Sequence, residues 1–309
     1  MYRLTLILGL ALLLAACAPA AQVPAPTPAR TATPAPTTPP QPTATPTQAP
    51  TVTPAPTTSA ATPAAAVDLL SGVQNASAAR SYRAEVSMSG NGTAGAVSLG
   101  SPQAPAEVMG MEGAFSGADY RFTLTGFVTA LYGGSSATGI QVVHVAGQDY
   151  IHGPLAVIGA FRDAWYRLPP TRAALATPPL YPAGLLALVA QSGVSPTGFS
   201  PAGQEQLDRQ RCQRFRGDRA ASLAILKSLG DSGLPVDTVS EHIDRVAADL
   251  WVCADGYLHQ VRLAFAGATP AQKPQPFDFT ISMRMYDFAA DVGVAAPDTA
   301  LDIAAPPSP

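Results

Sequence analysis

Polar and apolar residues alternate one by one in several short segments of the chain. Residues 82–88, 120–126 and 277–285 each place apolar side chains at every second position. A period of two puts one kind of side chain on each face of a β-strand. The pattern predicts half-buried antiparallel strands, each with one apolar face toward a core or a cavity.

One pair of segments predicts a hairpin. Residues 248–254 and 257–263 both alternate, and Asp255-Gly256 lies between them. Asp-Gly is a preferred two-residue type I′ turn. In that register Leu250 faces Val261 and Val252 faces His259, which predicts an apolar face. The other face carries Cys253 opposite Leu258, with Trp251 beside them, and is predicted to be the more solvated one.

Three segments have helical rather than alternating patterns. Residues 67–79 and 182–191 place apolar side chains along one side, and a proline begins the second segment. Asp218 is a suitable N-cap for a helix over 219–229, which Gly230 would end. Because strands outnumber helices, we expect an α+β fold: a large, mostly antiparallel sheet with a few short helices on one face.

The composition divides the chain into three parts. Residues 1–16 are apolar apart from a short start that contains Arg3, and their apolar run is too short for a membrane-spanning helix, which needs about 20 residues. Such a segment is typical of a secretory signal peptide. Residues 17–66 are rich in Ala, Thr and Pro. Residues 67–309 have the mixed composition of a globular protein and are predicted to form a single domain.

The signal-like segment ends at Leu14-Ala15-Ala16-Cys17. This motif resembles the bacterial lipobox, in which the cysteine thiol is acylated and becomes the N-terminus after cleavage. The resemblance implies lipidation at Cys17 and an extracytoplasmic protein anchored by lipid to the bacterial cell membrane. Several acyl chains together make such an anchor stable. The alternative is an ordinary secretory signal with a cysteine there by chance.

The segment that follows Cys17 lacks the large apolar residues needed for a core, and its prolines remove backbone donors. Proline-rich chains favour extended polyproline II, at about 3.1 Å per residue. We expect a disordered tether that holds the domain away from the membrane. Its Thr and Pro content also permits O-glycosylation.

Cys212 and Cys253 remain as a pair if lipid modifies Cys17. In an oxidising compartment two such cysteines commonly form a disulfide. Two separate buried thiols are the alternative. A metal site is a third interpretation, but no CxxC or HxxxH spacing supports it.

Composition and motifs disfavour other chemistry. The formal net charge is −3, and no basic patch indicates a nucleic-acid partner. Gly90 to Gly95 matches GxGxxG, but no helix follows it, so we interpret it as a turn. The four histidines, His144, His152, His242 and His259, lack metal-ligand spacing, and the carboxylates are scattered. We therefore expect no metal, no cofactor and no enzymatic activity.

Residues 67–297 resemble the LppX/LprAFG-type lipoproteins of bacterial envelopes, which are related in fold to the carrier LolA. The resemblance rests on the lipobox, the tether, an opening helix before the first strand, and three aromatic segments at residues 163–168, 250–257 and 286–288. It implies a half-barrel: a strongly curved antiparallel sheet with helices on its concave face. In that family the space between sheet and helices holds acyl chains.

The resemblance implies a protein that binds or carries a lipid or glycolipid without chemistry. The side chains expected to line its cavity are Val86, Met88, Phe122, Leu124, Leu185, Leu188, Leu250, Val252, Val261, Phe279, Ile281 and Met283. These residues could equally pack a closed core. The alternative function is a surface lipoprotein that binds proteins or cell wall, or senses the state of the envelope. The sequence does not define an oligomeric state.

Overall fold

The structure is a computed structural model. It describes residues 67–94, 97–131, 139–177, 180, 182–191, 196–231, 242–269 and 274–303. The predicted signal peptide, Cys17 and the tether lie outside these residues. Within the described residues, no helix is long and apolar enough to cross a membrane.

The described helices are short. They are α1 (Leu69–Ala78), α2 (Val128–Leu131), α3 (Pro182–Gln191) and α4 (Arg219–Asp231). The three predicted helices are therefore confirmed. The predicted end at Gly230 is wrong, because α4 continues to Asp231; a glycine inside a helix costs only about 1 kcal/mol.

Strands make up most of the described structure. They are β1 (Ser81–Ala94), β2 (Val97–Leu99), β3 (Ala106–Ser116), β4 (Asp119–Thr125), β5 (Ile140–Val145), β6 (Gln148–His152), β7 (Trp165–Arg167), β8 (Phe199–Leu207), β9 (Gln210–Gly217), β10 (Ile243–Cys253), β11 (Leu258–Ala268), β12 (Pro276–Tyr286) and β13 (Leu301–Asp302). They form one large, curved, open sheet, and the α+β class is confirmed.

The strand order is β13-β7-β6-β5-β4-β3-β1-β12-β11-β10-β9-β8, with β2 paired to β1. Every pairing is antiparallel except that of β13 with β7. The first strand lies between β3 and β12, near the middle of the sheet. Segments from both halves of the chain must therefore meet before β1 has both of its neighbours.

One face of the sheet, here called the helix face, packs against α1, α3 and α4. Its alternating residues on β10, Ala248, Leu250 and Val252, belong to a single buried cluster with helix residues such as Val73 and Leu226. The alternation read from the sequence sets which side chains point to this face. This cluster is the main hydrophobic core.

Three polar contacts stabilise the helices or join them to the sheet. Asp68 caps α1 by accepting a hydrogen bond from the Ser71 amide at 2.8 Å, and Asp218 caps α4 by accepting one from the Ala221 amide at 2.8 Å. The hydroxyl of Ser222, which is fully buried, accepts a hydrogen bond from the amide of Ala248 on β10. This contact joins α4 to the sheet without leaving a buried donor unpaired.

The β10–β11 hairpin differs from its prediction. The connection has four residues, with hydrogen bonds from the Cys253 amide to the Tyr257 carbonyl and from the Gly256 amide to the Cys253 carbonyl. Val252 pairs with Leu258, and His259 becomes the extra residue of a β-bulge. The predicted Asp255-Gly256 two-residue turn is wrong because the Asp255 side chain accepts hydrogen bonds from the Tyr257 amide and the His259 ring instead.

The other face of the sheet, here called the far face, is not simply solvated. On it, Cys212, Trp251 and Cys253 form a second buried cluster, against which Leu207 packs. The indole of Trp251 donates a hydrogen bond to Glu205 at 2.9 Å. The prediction of a solvated face at this position is therefore wrong.

After β12 the chain first packs Phe288 against the main cluster and then turns back across the far face, where Ala295 and Pro297 lie beside far-face residues. Asp287 and Ala289 have positive φ angles, and the ring of Phe288 stacks on Tyr257 with centroids 4.4 Å apart. Val292 is buried, and β13 then adds to the edge strand β7. This C-terminal segment, residues 287–303, thus packs as part of the domain.

Candidate ligand-binding site

The side chains predicted to line a cavity share the helix face or its covering helix. All of those whose side chains are described belong to the main cluster or pack against it. Leu188 lies in α3, but its side chain is outside the described residues. The sequence pattern therefore selected one contiguous set of residues.

Most of this set is packed core. Nine side chains are no more than 4% exposed: Val86, Phe122, Leu124, Leu185, Leu250, Val252, Val261, Ile281 and Met283. A side chain that lined a ligand-sized space would keep accessible surface toward that space. In this structure these nine contact other protein atoms instead, so they stabilise the fold and leave no room for a ligand beside them on the helix face.

Met88 and Phe279 differ, because both are only half-buried. Met88 lies in the second half of β1 and Phe279 near the start of β12. We call this part of the sheet, where residues 88–91 pair with residues 278–281, its upper end. Met88 pairs with Ile281, and Phe279 lies between Gly90 and Phe265 across three strands. Access to the helix face is therefore retained at its upper end.

Three phenyl rings dominate this upper end. The ring centroids of Phe265, Phe277 and Phe279 lie 5.9 to 6.4 Å apart. Gly90 makes room for them, because a Cβ at that position would collide with the ring of Phe279. Val246, also half-buried, packs against the same cluster. The resulting surface is hydrocarbon with one adaptable methionine, which can bind apolar chains by burial but offers no reactive group.

His144, His152 and His259 each contact a nearby carboxylate. His144 contacts Asp149 at 2.6 Å and His152 contacts Asp163 at 3.6 Å. His259 is 2% exposed and contacts Asp255 at 2.9 Å. Among the described residues, no group of three His, Cys, Asp or Glu side chains could hold a metal ion. Hydrogen bonds within the domain account for His144 and His259.

A partly buried group of ion pairs near His259 joins β12 to β1 and to the β8–β9 turn. Arg284 on β12 contacts Asp208 in the β8–β9 turn and Glu85 on β1. Burial opposes ionisation of Asp208, but the hydrogen bond and charge of Arg284, with His259, hold the pKa of Asp208 below its ordinary value. Burial and the nearby Glu85 raise the pKa of Tyr286, which keeps its phenol protonated.

Cys212 and Cys253 form a disulfide, as predicted. The two residues lie directly opposite each other on β9 and β10. The bridge lies on the far face beside Trp251 and is remote from the upper end of the helix face. The bridge links the β8–β9 hairpin to β10 and so to the rest of the sheet.

A loop between β6 and β7 displays apolar side chains to solvent. Val157 and Phe161 are 68% and 74% exposed. Leu155 and Ile158 are buried beside them, and Arg172 donates a hydrogen bond to the Ile158 carbonyl at 2.6 Å. The loop is thus anchored at its base. No signal in the sequence marked this loop, because its apolar residues follow no period.

No protein-family model matches the chain, and no curated protein matches it. The resemblance to the LppX/LprAFG-type lipoproteins therefore remains a prediction based on the motifs and on the segment order.

Proposed function

We propose that this protein is a lipid-anchored extracytoplasmic protein whose half-barrel domain binds a hydrophobic ligand, a lipid or glycolipid, without chemistry. The observation that carries the proposal is the half-buried pair Met88 and Phe279 at the upper end of the helix face. In the proposed half-barrel the helices cover the concave face, and the ligand enters where they do not. The ligand lies beside this pair rather than among the nine packed residues.

Two physical features support the proposal. The curved open sheet presents a continuous apolar face. Of the predicted lining residues whose side chains are described, the two at the upper end, Met88 and Phe279, are the most exposed. Acyl chains gain about 0.8 kcal/mol for each methylene that leaves water. A few methylenes against phenyl rings and a methionine therefore give measurable affinity without any polar contact.

The test uses a fluorescent fatty acid, 11-(dansylamino)undecanoic acid, titrated into the full-length protein purified in detergent. We expect saturable binding that Phe279→Ser weakens by about tenfold, because the chain loses the buried contact with one ring. Met88→Ser should weaken it less. Native mass spectrometry of the same preparation should detect a co-purified acyl compound.

Phe161→Ser is the matched control, since it removes an exposed ring elsewhere. It should leave the affinity for the fatty acid unchanged. Equal affinities of the Phe279→Ser and wild-type proteins would reject this site. The absence of both probe binding and co-purified lipid would reject the carrier function itself.

The second candidate function is a surface lipoprotein that binds another protein. It is favoured by Val157 and Phe161, which the buried base of their loop holds in solvent. Aromatic side chains on rigid loops are typical anchors of protein interfaces. A photo-crosslinking amino acid at position 161 should then yield one defined protein adduct in cells. The same group at Leu70, an exposed residue of α1, is the control and should yield none.

A further inference from the structure

A cleft of about 410 Å³ lies on the far face, on the side of the sheet opposite the proposed lipid site. Its base is formed by β1, β3, β4, β5 and β12. Trp165 of β7 and the C-terminal segment, through Ala295 and Pro297, form its rim. Its volume is within the range of small-molecule sites, about 300–1,000 Å³.

The cleft exists because a small residue separates two long ones. Arg83 on β1, Ala114 on β3 and Arg121 on β4 are direct partners across the sheet. Adjacent strands lie about 4.8 Å apart, so the two arginine Cα atoms are separated by about 10 Å. The methyl group of Ala114 leaves the space between the guanidinium groups open.

The groups around this space are of mixed polarity. Arg83 pairs with Asp287 at 3.3 Å, whereas Arg121 has no ion pair or hydrogen bond with any residue that the structure describes. The neighbouring row of far-face residues contributes Glu112, Thr123 and Gln141. These three supply a carboxylate, a hydroxyl and an amide, which together accept and donate hydrogen bonds.

Two aromatic side chains complete the lining. Tyr286 on β12 and Trp165 on β7 are half-buried and lie on opposite sides of the cleft. Aromatic rings with a polar edge bind ligands that have both an apolar face and hydrogen-bonding groups. Sugar rings have this character, with C–H groups on their faces and hydroxyl groups around their edges.

We propose that this cleft binds a saccharide that carries a single carboxylate. Arg121 pairs with the carboxylate, Tyr286 and Trp165 contact the ring faces, and Gln141, Thr123 and Glu112 bind the hydroxyls. A charge-assisted hydrogen bond to a guanidinium is among the stronger polar contacts. Glu112 and the nearby Glu85 make the cleft unfavourable for polyanions such as nucleotides. The proposal does not rest on the lipid site, which lies on the other face.

The experiment is calorimetric titration of the full-length protein in detergent with two disaccharides. One is N-acetylglucosaminyl-N-acetylmuramic acid, which has one carboxylate, and the other is neutral N,N′-diacetylchitobiose. We expect the acidic disaccharide to bind more tightly. Arg121→Gln should weaken its binding by about tenfold, because a hydrogen-bonded charge is lost, and should leave the neutral sugar unaffected.

Arg262→Gln is the matched control, since Arg262 is an exposed arginine on β11 that does not line the cleft. It should not change either affinity, and thermal melting should be the same for both variants and the wild type. The proposal is overturned if neither sugar binds, if both sugars bind equally well, or if Arg121→Gln binds the acidic sugar like the wild type. Fatty-acid binding by the same samples reports separately on the lipid site.

Discussion

At the scale of single residues, Gly72 determines how closely α1 approaches the sheet. A Cβ at this position would lie 2.5 Å from Cγ1 of Val252, a stiff and fully buried side chain. Helix propensity alone predicts that Gly72→Ala stabilises the protein by about 1 kcal/mol. We expect the opposite, a loss of about 1–3 kcal/mol in the free energy of unfolding, because overpacking outweighs propensity.

Urea unfolding monitored by circular dichroism measures this effect. Gln74→Ala, on the exposed side of the same helix, is the control and should be nearly neutral. The double variant Gly72→Ala with Val252→Ala should be more stable than the two separate losses predict, since the smaller side chain removes the collision. Simple additivity would contradict this account of the contact.

The Asp208–Arg284 pair predicts a pH dependence. The pKa of Asp208 is lowered in the folded protein, so its stabilising effect is present above the unfolded-state pKa and is lost as the pH falls through the folded-state value. Arg284→Met should therefore destabilise the protein more at about pH 6 than at about pH 3. Unfolding free energies of both proteins across this range provide the measurement.

Arg245→Met tests whether any arginine would have this effect. Arg245 pairs with Asp278, but both side chains are largely exposed, and exposed pairs contribute little. Its loss should be small at both pH values. A loss at Arg284 that does not vary with pH would show that packing, and not ionisation of Asp208, is responsible.

At the scale of elements, the disulfide joins β9 to β10. It links residues 41 apart in sequence, so by the chain-entropy model it stabilises the fold by roughly 4 kcal/mol. Replacing both cysteines by alanine should lower the unfolding free energy by about this amount, as measured by urea denaturation. A change below about 1 kcal/mol would mean that the sheet alone holds β8 and β9 in place.

The β10–β11 hairpin shows which structural features the local sequence predicts and which it does not. Alternation predicted both strands and placed Leu250 opposite Val261, as observed. It could not predict the bulge at His259, because alternation does not describe the side-chain contacts that His259 makes there. Asp255 binds the ring of His259, and Phe288, distant in sequence, packs against it. One extra residue then moved Leu258 to the helix face.

For the candidate sites, too, the local sequence predicted some features and missed others. Periodicity identified the helix face, since it requires only the order of residues along each strand. It could not distinguish the half-buried Met88 from the packed Val86, because that difference depends on which helices cover each end of the sheet. The far-face cleft had no sequence signal, because Arg83 and Arg121 become neighbours only through the pairing of β1, β3 and β4.

At the scale of the whole molecule, the position of β1 predicts cooperative unfolding. The first strand lies between β3 and β12 and therefore joins the two halves of the sheet.

The two tryptophans report on these halves, since Trp165 is on β7 near one edge and Trp251 is on β10 near the other. Single-tryptophan variants, Trp165→Phe and Trp251→Phe, allow each half to be followed by fluorescence during urea unfolding. We expect each variant's fluorescence transition to coincide with its own circular dichroism transition, as in a two-state reaction. If one half lost its fluorescence signal before the remaining secondary structure unfolded, the sheet would consist of two units that fold separately.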